Sequence, residues 1–218
     1  MPRLARALSC IGALAVAAIV AASSLINDDA MGTYKRALEE KNKSKSTALL
    51  RGLLLSTVTI GVDESTLLGD DYDWEDGVKT GLDSWSNSID DSPFTLAAKG
   101  EKPDIQIKFV RRIESNDQAQ GLIKAQRHFY WQGNQSGARV TGVIYVRTDV
   151  GRRWISGDEV GRVIAHELGH LLGLDDDHDG TGVMSDFIAG RGRKEPSRTE
   201  IDSVIDFRQK IRLALSER

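Results

Sequence analysis

A pair of histidines four residues apart is the feature that most constrains this chain. His166 and His170 enclose Glu167 in the run HELGH, and Gly173 follows shortly after. In an α-helix the side chains at positions i and i+4 project from one face, so the two imidazoles can bind a single metal ion while Glu167 reaches a water molecule beside it. The run therefore predicts a helix and a zinc site, with Glu167 as the general base for hydrolysis.

A buried helix with two hydrogen-bonded core histidines is the alternative explanation of this run. The distribution of histidine argues against it, because three of the four histidines, His166, His170 and His178, fall within thirteen residues beside a run of aspartates. The fourth, His128, has no ligand-type neighbour at a suitable spacing, which favours an ordinary place in a strand. The sequence therefore predicts one metal site.

The residues around the run resemble the metzincin metallopeptidases, and among them the matrixins and the snapalysins. The resemblance rests on the HExxHxxG pattern that ends at Gly173, on Met184 in the later run GVMS, and on the stretch DIQIKF at residues 104–109, which is similar to a matrixin strand. It spans about residues 55–214. It implies an α+β fold with a twisted mixed β-sheet, an active-site helix, a Met-turn that places Met184 under the metal, and a C-terminal helix.

The third metal ligand stays open between two residues. The family pattern expects a histidine at the position of Asp176. Aspartate takes this place in the snapalysins, and a carboxylate oxygen is an acceptable zinc ligand. His178 is the alternative, since imidazole is a common ligand of catalytic zinc, but it requires two additional residues in the turn after Gly173. Either residue would complete a site for one catalytic zinc ion.

The neighbouring aspartates allow a second ion. Asp175, Asp177 and Asp179 could form a structural calcium site, because calcium prefers several oxygen ligands. A solvated turn is the simpler interpretation of the same residues.

Hydrophobic periodicity predicts the other elements. Predicted strands cover residues 56–62, 94–97, 105–110, 122–131 and 140–147, and predicted helices cover residues 74–89, 156–173 and a C-terminal stretch that begins with a capping box near Ser197. The resemblance further implies that residues 121–127 form the sheet edge to which an extended substrate adds, and that residues 185–190 help to shape the substrate pocket.

The N-terminus predicts export from the cytoplasm. Two arginines precede an almost wholly apolar stretch at residues 7–26, which is typical of a signal peptide or a signal anchor. Either one would make the protein secreted or membrane-anchored outside the cytoplasm. We therefore predict a signal peptide or anchor at residues 1–26, a stalk or short propeptide at 27–54, and a zinc metallopeptidase catalytic domain at 55–218.

Composition and net charge limit the classes of molecule that the protein is expected to bind. Its 218 residues are 40% hydrophobic, which suffices for one globular domain with a core, and the formal net charge of -3 offers no general attraction to nucleic acid. We predict an extracytoplasmic zinc-dependent endopeptidase that acts on proteins or peptides. A non-catalytic peptide-binding module and a zinc hydrolase of a non-peptide bond are the alternative functions.

Overall fold

The structure is a computed structural model that describes residues 22–25, 30–67, 74–114, 119–132, 135–150, 153–178, 181–188, 193 and 195–218. The helices in this part of the chain are α1 (Ala30–Glu39), α2 (Lys43–Leu54), α3 (Trp74–Ser86), α4 (Gly157–Leu171) and α5 (Arg198–Ser216), with one 3-10 turn at Glu64–Thr66. The strands are β1 (Ala22–Leu25), β2 (Val58–Val62), β3 (Phe94–Leu96), β4 (Ile105–Val110), β5 (Gly121–Gln132), β6 (Gln135–Arg147), β7 (Asp149–Val150) and β8 (Arg153–Trp154).

The main sheet is mixed, which confirms the predicted α+β class. Its strand order is β1-β5-β6-β4-β2-β3, with β6, β4, β2 and β3 parallel and β5 antiparallel to its neighbours. The backbone of β1 pairs with residues 126–129 of β5, and no other described strand pairs with residues 121–125 on that outer side. His128 lies in β5, as predicted, where its Nε2 atom is 3.0 Å from the hydroxyl of Thr141.

The main core lies between this sheet and helices α3 and α4. In β4, Ile105 and Ile107 are fully buried while Gln106 between them is only partly buried, as the period of two predicts. On the helix side, Val160, Ile164 and Leu168 recur every four residues along α4 and are fully buried. This packing fixes α4, and the histidine run that it carries, relative to β5.

Two boundaries differ from the predicted ones by more than two residues. Helix α3 ends at Ser86, three residues early, because the N–H groups of Ser88 and Ile89 both turn back to the carbonyl oxygen of Trp85. Strand β6 begins at Gln135, five residues early, because its antiparallel ladder with β5 continues to the hairpin. In both places backbone hydrogen bonds, rather than the spacing of apolar residues, set the limit of the element.

Helices α1 and α2 pack against α5 in a second apolar cluster. The buried members of this cluster are Ala37, Leu50, Leu53, Ile211 and Ala214. Helix α2 also lies on β5 and β6. The described part of the predicted stalk or propeptide thus contains a helical pair that packs against the C-terminal helix, and its α2 also packs against β5 and β6.

Most of the predicted signal peptide or anchor, residues 1–26, lies outside the described residues, and β1 is the part of it that the structure describes. Among the helices of the described residues, none is both long enough and apolar enough to cross a membrane.

Candidate metal centre

Helix α4 has a defined start and end. Ser156 caps its N-terminus, because the Ser156 hydroxyl accepts from the Glu159 N–H while the Glu159 carboxylate accepts from the Ser156 N–H. The helix ends at Leu171, and Gly173 follows with a φ of 95°. Glycine adopts this left-handed conformation at little cost, so the chain can double back towards the histidines.

Three side chains place donor atoms around one point. The Nε2 atoms of His166 and His170 lie 3.1 Å and 3.5 Å from Oδ1 of Asp176, and the three donors lie within 4.8 Å of one another. In a tetrahedral zinc site with bonds of about 2.0–2.1 Å, neighbouring ligand atoms are roughly 3.3 Å apart. The donor spacing therefore fits one zinc ion. The Asp176 side chain is 53% exposed, so the cluster is accessible from solvent.

Backbone carbonyl groups orient both imidazoles. Nδ1 of His166 donates to the carbonyl oxygen of Val183 at 2.9 Å, and Nδ1 of His170 donates to that of Leu174 at 2.9 Å. A proton on Nδ1 leaves the lone pair on Nε2, which is the atom that faces the cluster. Burial also lowers the pKa of His170, which favours the neutral imidazole that a metal requires.

Glu167 lies buried between α4 and β5. A side chain at Gly121 would overlap the Glu167 carboxylate, so this glycine permits the close approach of the strand to the helix. Burial raises the pKa of Glu167 to about 7, although the nearby His166 and a hydrogen bond from the Ile123 backbone act in the opposite direction. A carboxyl group with a pKa near neutrality is suited both to accept a proton and to return it.

Met184 is fully buried and packs against helix α4. Its sulfur contacts α4 at Gly169, where a Cβ atom would overlap it. The backbone N–H of Met184 donates to Oε1 of Glu200 at 2.7 Å, and that of Val183 donates to Oε2 at 3.2 Å. Because the carbonyl oxygen of Val183 accepts from His166, Glu200 supports that histidine through the turn.

Glu200 is a residue of this site that the sequence did not indicate. Its pattern with Ser197 predicts a capping box at the start of α5, which the structure contains. The Glu200 carboxylate has a second role, because it also accepts hydrogen bonds from the turn around Met184. Spacing along the sequence does not predict that this turn and α5 are in contact. The capping box was the one available signal, and it pointed only to a helix start.

His178 lies outside the three-donor cluster. Its Nδ1 atom is 2.7 Å from Oδ1 of Asp186, and its side chain is 74% exposed. Of the predicted calcium ligands, Asp175 and Asp177 are exposed on the turn, and Asp179 lies outside the described residues. The calcium site stays a prediction.

Comparison with protein families assigns the chain. The family model described as Matrixin matches residues 56–204, which is more than half of the sequence. The chain belongs to the matrixin family. The resemblance indicated by the histidine run is thereby confirmed, and because matrixins are zinc metallopeptidases, peptidase activity and a catalytic zinc ion are supported for this matrixin. No curated protein matches the matrixin described here.

Proposed function

We propose that this matrixin is an extracytoplasmic zinc-dependent endopeptidase. The observation that carries the proposal is the buried Glu167, which follows His166 on α4 next to the point where donors of His166, His170 and Asp176 converge. This arrangement combines a metal site with a general base. Together they are the minimum apparatus for metal-assisted hydrolysis of a peptide bond.

We assign the third zinc ligand to Asp176. Its Oδ1 atom lies at ligand spacing from both histidine Nε2 atoms, which supports the assignment. For His178 to replace it, the imidazole would have to leave Asp186 and move in from an exposed position. Aspartate at this place also agrees with the resemblance to the snapalysins.

The residues around the metal position have separate chemical roles. A bound zinc ion lowers the pKa of water and polarises the peptide carbonyl group. Glu167 accepts a proton from the attacking water and donates a proton to the departing amine nitrogen. Its raised pKa suits both transfers near neutral pH. The carbonyl groups of Val183 and Leu174 keep both imidazoles turned towards the metal position.

An extended peptide can add to β5 beside Glu167. Among the described strands, none occupies the outer side of residues 121–125, so their backbone groups can form ladder hydrogen bonds with a substrate. Gly121 brings this edge directly against the Glu167 carboxylate. Recognition through the backbone favours a peptide substrate over a small molecule with a non-peptide bond.

Two alternative functions make different demands on these residues. A non-catalytic peptide-binding module requires the β5 edge but no base, whereas Glu167 is buried beside the donors with a raised pKa. A zinc hydrolase of a non-peptide bond requires the base but no free strand edge. The endopeptidase uses both features, and for this reason we prefer it.

Cleavage of a quenched-fluorescence peptide library by the full-length, zinc-loaded chain tests the proposal. Glu167→Gln is nearly isosteric, so it should keep stoichiometric zinc and lose at least about 100-fold in kcat. Chelation should abolish cleavage, and added zinc should restore it in the unmodified chain alone. A folded, zinc-loaded chain that cleaves no peptide would refute the endopeptidase, and hydrolysis of small esters alone would support the non-peptide alternative.

We also propose that residues 1–26 direct the protein out of the cytoplasm. The apolar run and the basic start of the sequence support this placement. Expression of the full chain in a bacterial host, followed by fractionation and N-terminal sequencing, separates a cleaved signal from a retained anchor. Recovery of the intact chain in the cytoplasmic fraction would contradict export.

A further inference from the structure

The closed end of the β5–β6 hairpin carries aromatic side chains. We call residues 130–132 and 135–136 the hairpin end. Tyr130 is 49% exposed, and Trp131 next to it is partly exposed. At roughly 3.4 Å per residue, β5 rises about 30 Å between Tyr130 and Gly121, which lies against Glu167. The aromatic side chains of the hairpin end are therefore too distant to take part in the metal chemistry.

Two basic side chains of α2 contact the hairpin end. Nζ of Lys45 lies 5.9 Å from the ring centroid of Trp131. Nη1 of Arg51 donates to the carbonyl oxygen and to the hydroxyl of Ser136, at 2.9 Å and 3.1 Å. Trp131 and Ser136 are themselves partners in the ladder between β5 and β6. The start of α2 and the hairpin end therefore form one continuous surface.

This surface is basic, although the formal net charge of the chain is -3. Lys41 and Lys43 are exposed next to Lys45, immediately before α2 and at its first residue. Glu39 and Glu40, where α1 ends, offset part of the charge, and Glu40 pairs with Lys45 at 2.6 Å. Residues 39–51 thus carry four basic and two acidic side chains.

The apolar N-terminal stretch is joined to the fold beside the hairpin end. Strand β1 begins at Ala22, which pairs with Phe129. Because β1 runs antiparallel to β5, the start of β1 is its end nearest to Tyr130, and the apolar residues 7–21 are attached to that start. A stretch suited to a lipid bilayer is thus attached next to exposed aromatic and basic side chains.

We propose that the hairpin end and residues 41–51 form a docking surface for an anionic lipid bilayer. Tyrosine and tryptophan favour the headgroup level of a bilayer, because each ring has an apolar body and a polar group. Anionic headgroups attract lysine and arginine, and each such side chain near the surface strengthens binding by about fivefold. Docking leaves the metal centre at the far end of β5, away from the bilayer. This binding role goes beyond the proposed peptidase activity and does not depend on it.

Site-specific fluorescence in the full-length chain tests the docking surface. The chain has one cysteine, Cys10, so its replacement by serine permits an environment-sensitive dye to be attached at Gln132→Cys in the hairpin end. Thr95→Cys is the matched control, because Thr95 is also an exposed polar residue of a strand, and its strand β3 lies at the far edge of the sheet. Each labelled chain is reconstituted in vesicles of phosphatidylcholine and phosphatidylglycerol in equal parts, with a lipid that carries a nitroxide quencher on its headgroup.

The quencher should lower the emission of the hairpin label by at least about twofold and leave the β3 label unchanged. Lys41→Glu combined with Lys43→Glu should reduce the quenching of the hairpin label by at least about twofold, as should vesicles of phosphatidylcholine alone. Lys99→Glu combined with Lys102→Glu is the matched charge control, because both lysines are exposed near β3, and it should have no effect. All variants should keep the circular dichroism spectrum of the unmodified chain, since the replaced lysines are exposed.

Equal quenching of the two labels, or no quenching of the hairpin label, would overturn the inference. Quenching of the hairpin label that stays the same in the Lys41 and Lys43 variant and in phosphatidylcholine alone would overturn it too, because attachment through residues 7–21 would then account for the signal. Since no measurement depends on turnover, a chain that cleaves no peptide would refute the proposed peptidase and leave this test unaffected.

Discussion

Replacing Leu50 with alanine tests whether the N-terminal helices belong to the catalytic fold. Leu50 in α2 is 0% exposed and lies in the apolar cluster that α1 and α2 share with α5. Both N-terminal helices precede the matrixin match at residues 56–204, and the sequence predicted a stalk or short propeptide at residues 27–54. If this cluster is part of the catalytic fold, Leu50→Ala should lower the stability of the whole domain.

The expected cost follows from the burial of the side chain. Leucine to alanine removes three carbon groups, worth about 2.4 kcal/mol at roughly 0.8 kcal/mol for each buried group. The remaining cavity adds to this, since buried leucine to alanine changes cost about 2.7–5 kcal/mol. We therefore expect Leu50→Ala to lower the free energy of unfolding by about 3 kcal/mol. Leu38→Ala is the matched control on α1. Because Leu38 is 44% exposed, this variant should lower the free energy of unfolding by less than about 1 kcal/mol.

Urea denaturation followed by far-ultraviolet circular dichroism and tryptophan fluorescence measures this cost. Trp85 is fully buried in the main core, where its Nε1 atom donates to the carbonyl oxygen of Ala165 in α4. With the other three tryptophans replaced by phenylalanine, the fluorescence of Trp85 reports on the catalytic region. In Leu50→Ala both signals should shift together to lower urea. A loss below about 1 kcal/mol, or separate melting of the N-terminal helices with no change in fluorescence, would refute the reasoning and favour a removable segment.

Two further predictions concern the zinc ligands and their support. Asp176→Asn should weaken zinc binding by about 100-fold, whereas His178→Asn should leave the zinc affinity within about threefold of the unmodified chain. Competition with a chromophoric chelator measures both affinities. The reverse ranking would make His178 the third ligand. Glu200→Gln should weaken zinc binding by about tenfold, because the amide cannot accept both N–H groups of the turn at Met184. Ser197→Ala removes the helix cap alone and should cost about 1 kcal/mol of stability with zinc affinity unchanged; equal zinc affinity in both variants would limit Glu200 to helix capping.

Features that depend only on residues close together along the chain were predictable from the sequence. The burial of Val160, Ile164 and Leu168 follows the period of the helix, and the alternation in β4 follows the period of the strand. Gly173, which ends the HExxHxxG pattern, has a φ of 95°, a left-handed conformation that favours glycine. The resemblance to the matrixins rested on the same kind of local evidence, because the histidine spacing follows from helix geometry, and the family match over residues 56–204 confirmed it.

The sequence by itself therefore determined helices α3 to α5, strands β2 to β6, the fold class, and the two histidines that share a helix face with Glu167 beside them. Only the tertiary structure brought Asp176 to both histidines, joined Glu200 to the turn at Met184, and seated α1 and α2 on α5. The physical reason is that these contacts join residues far apart along the chain. Periodicity specifies which face of an element is apolar, whereas the path of a turn and the packing of distant elements decide which polar groups meet.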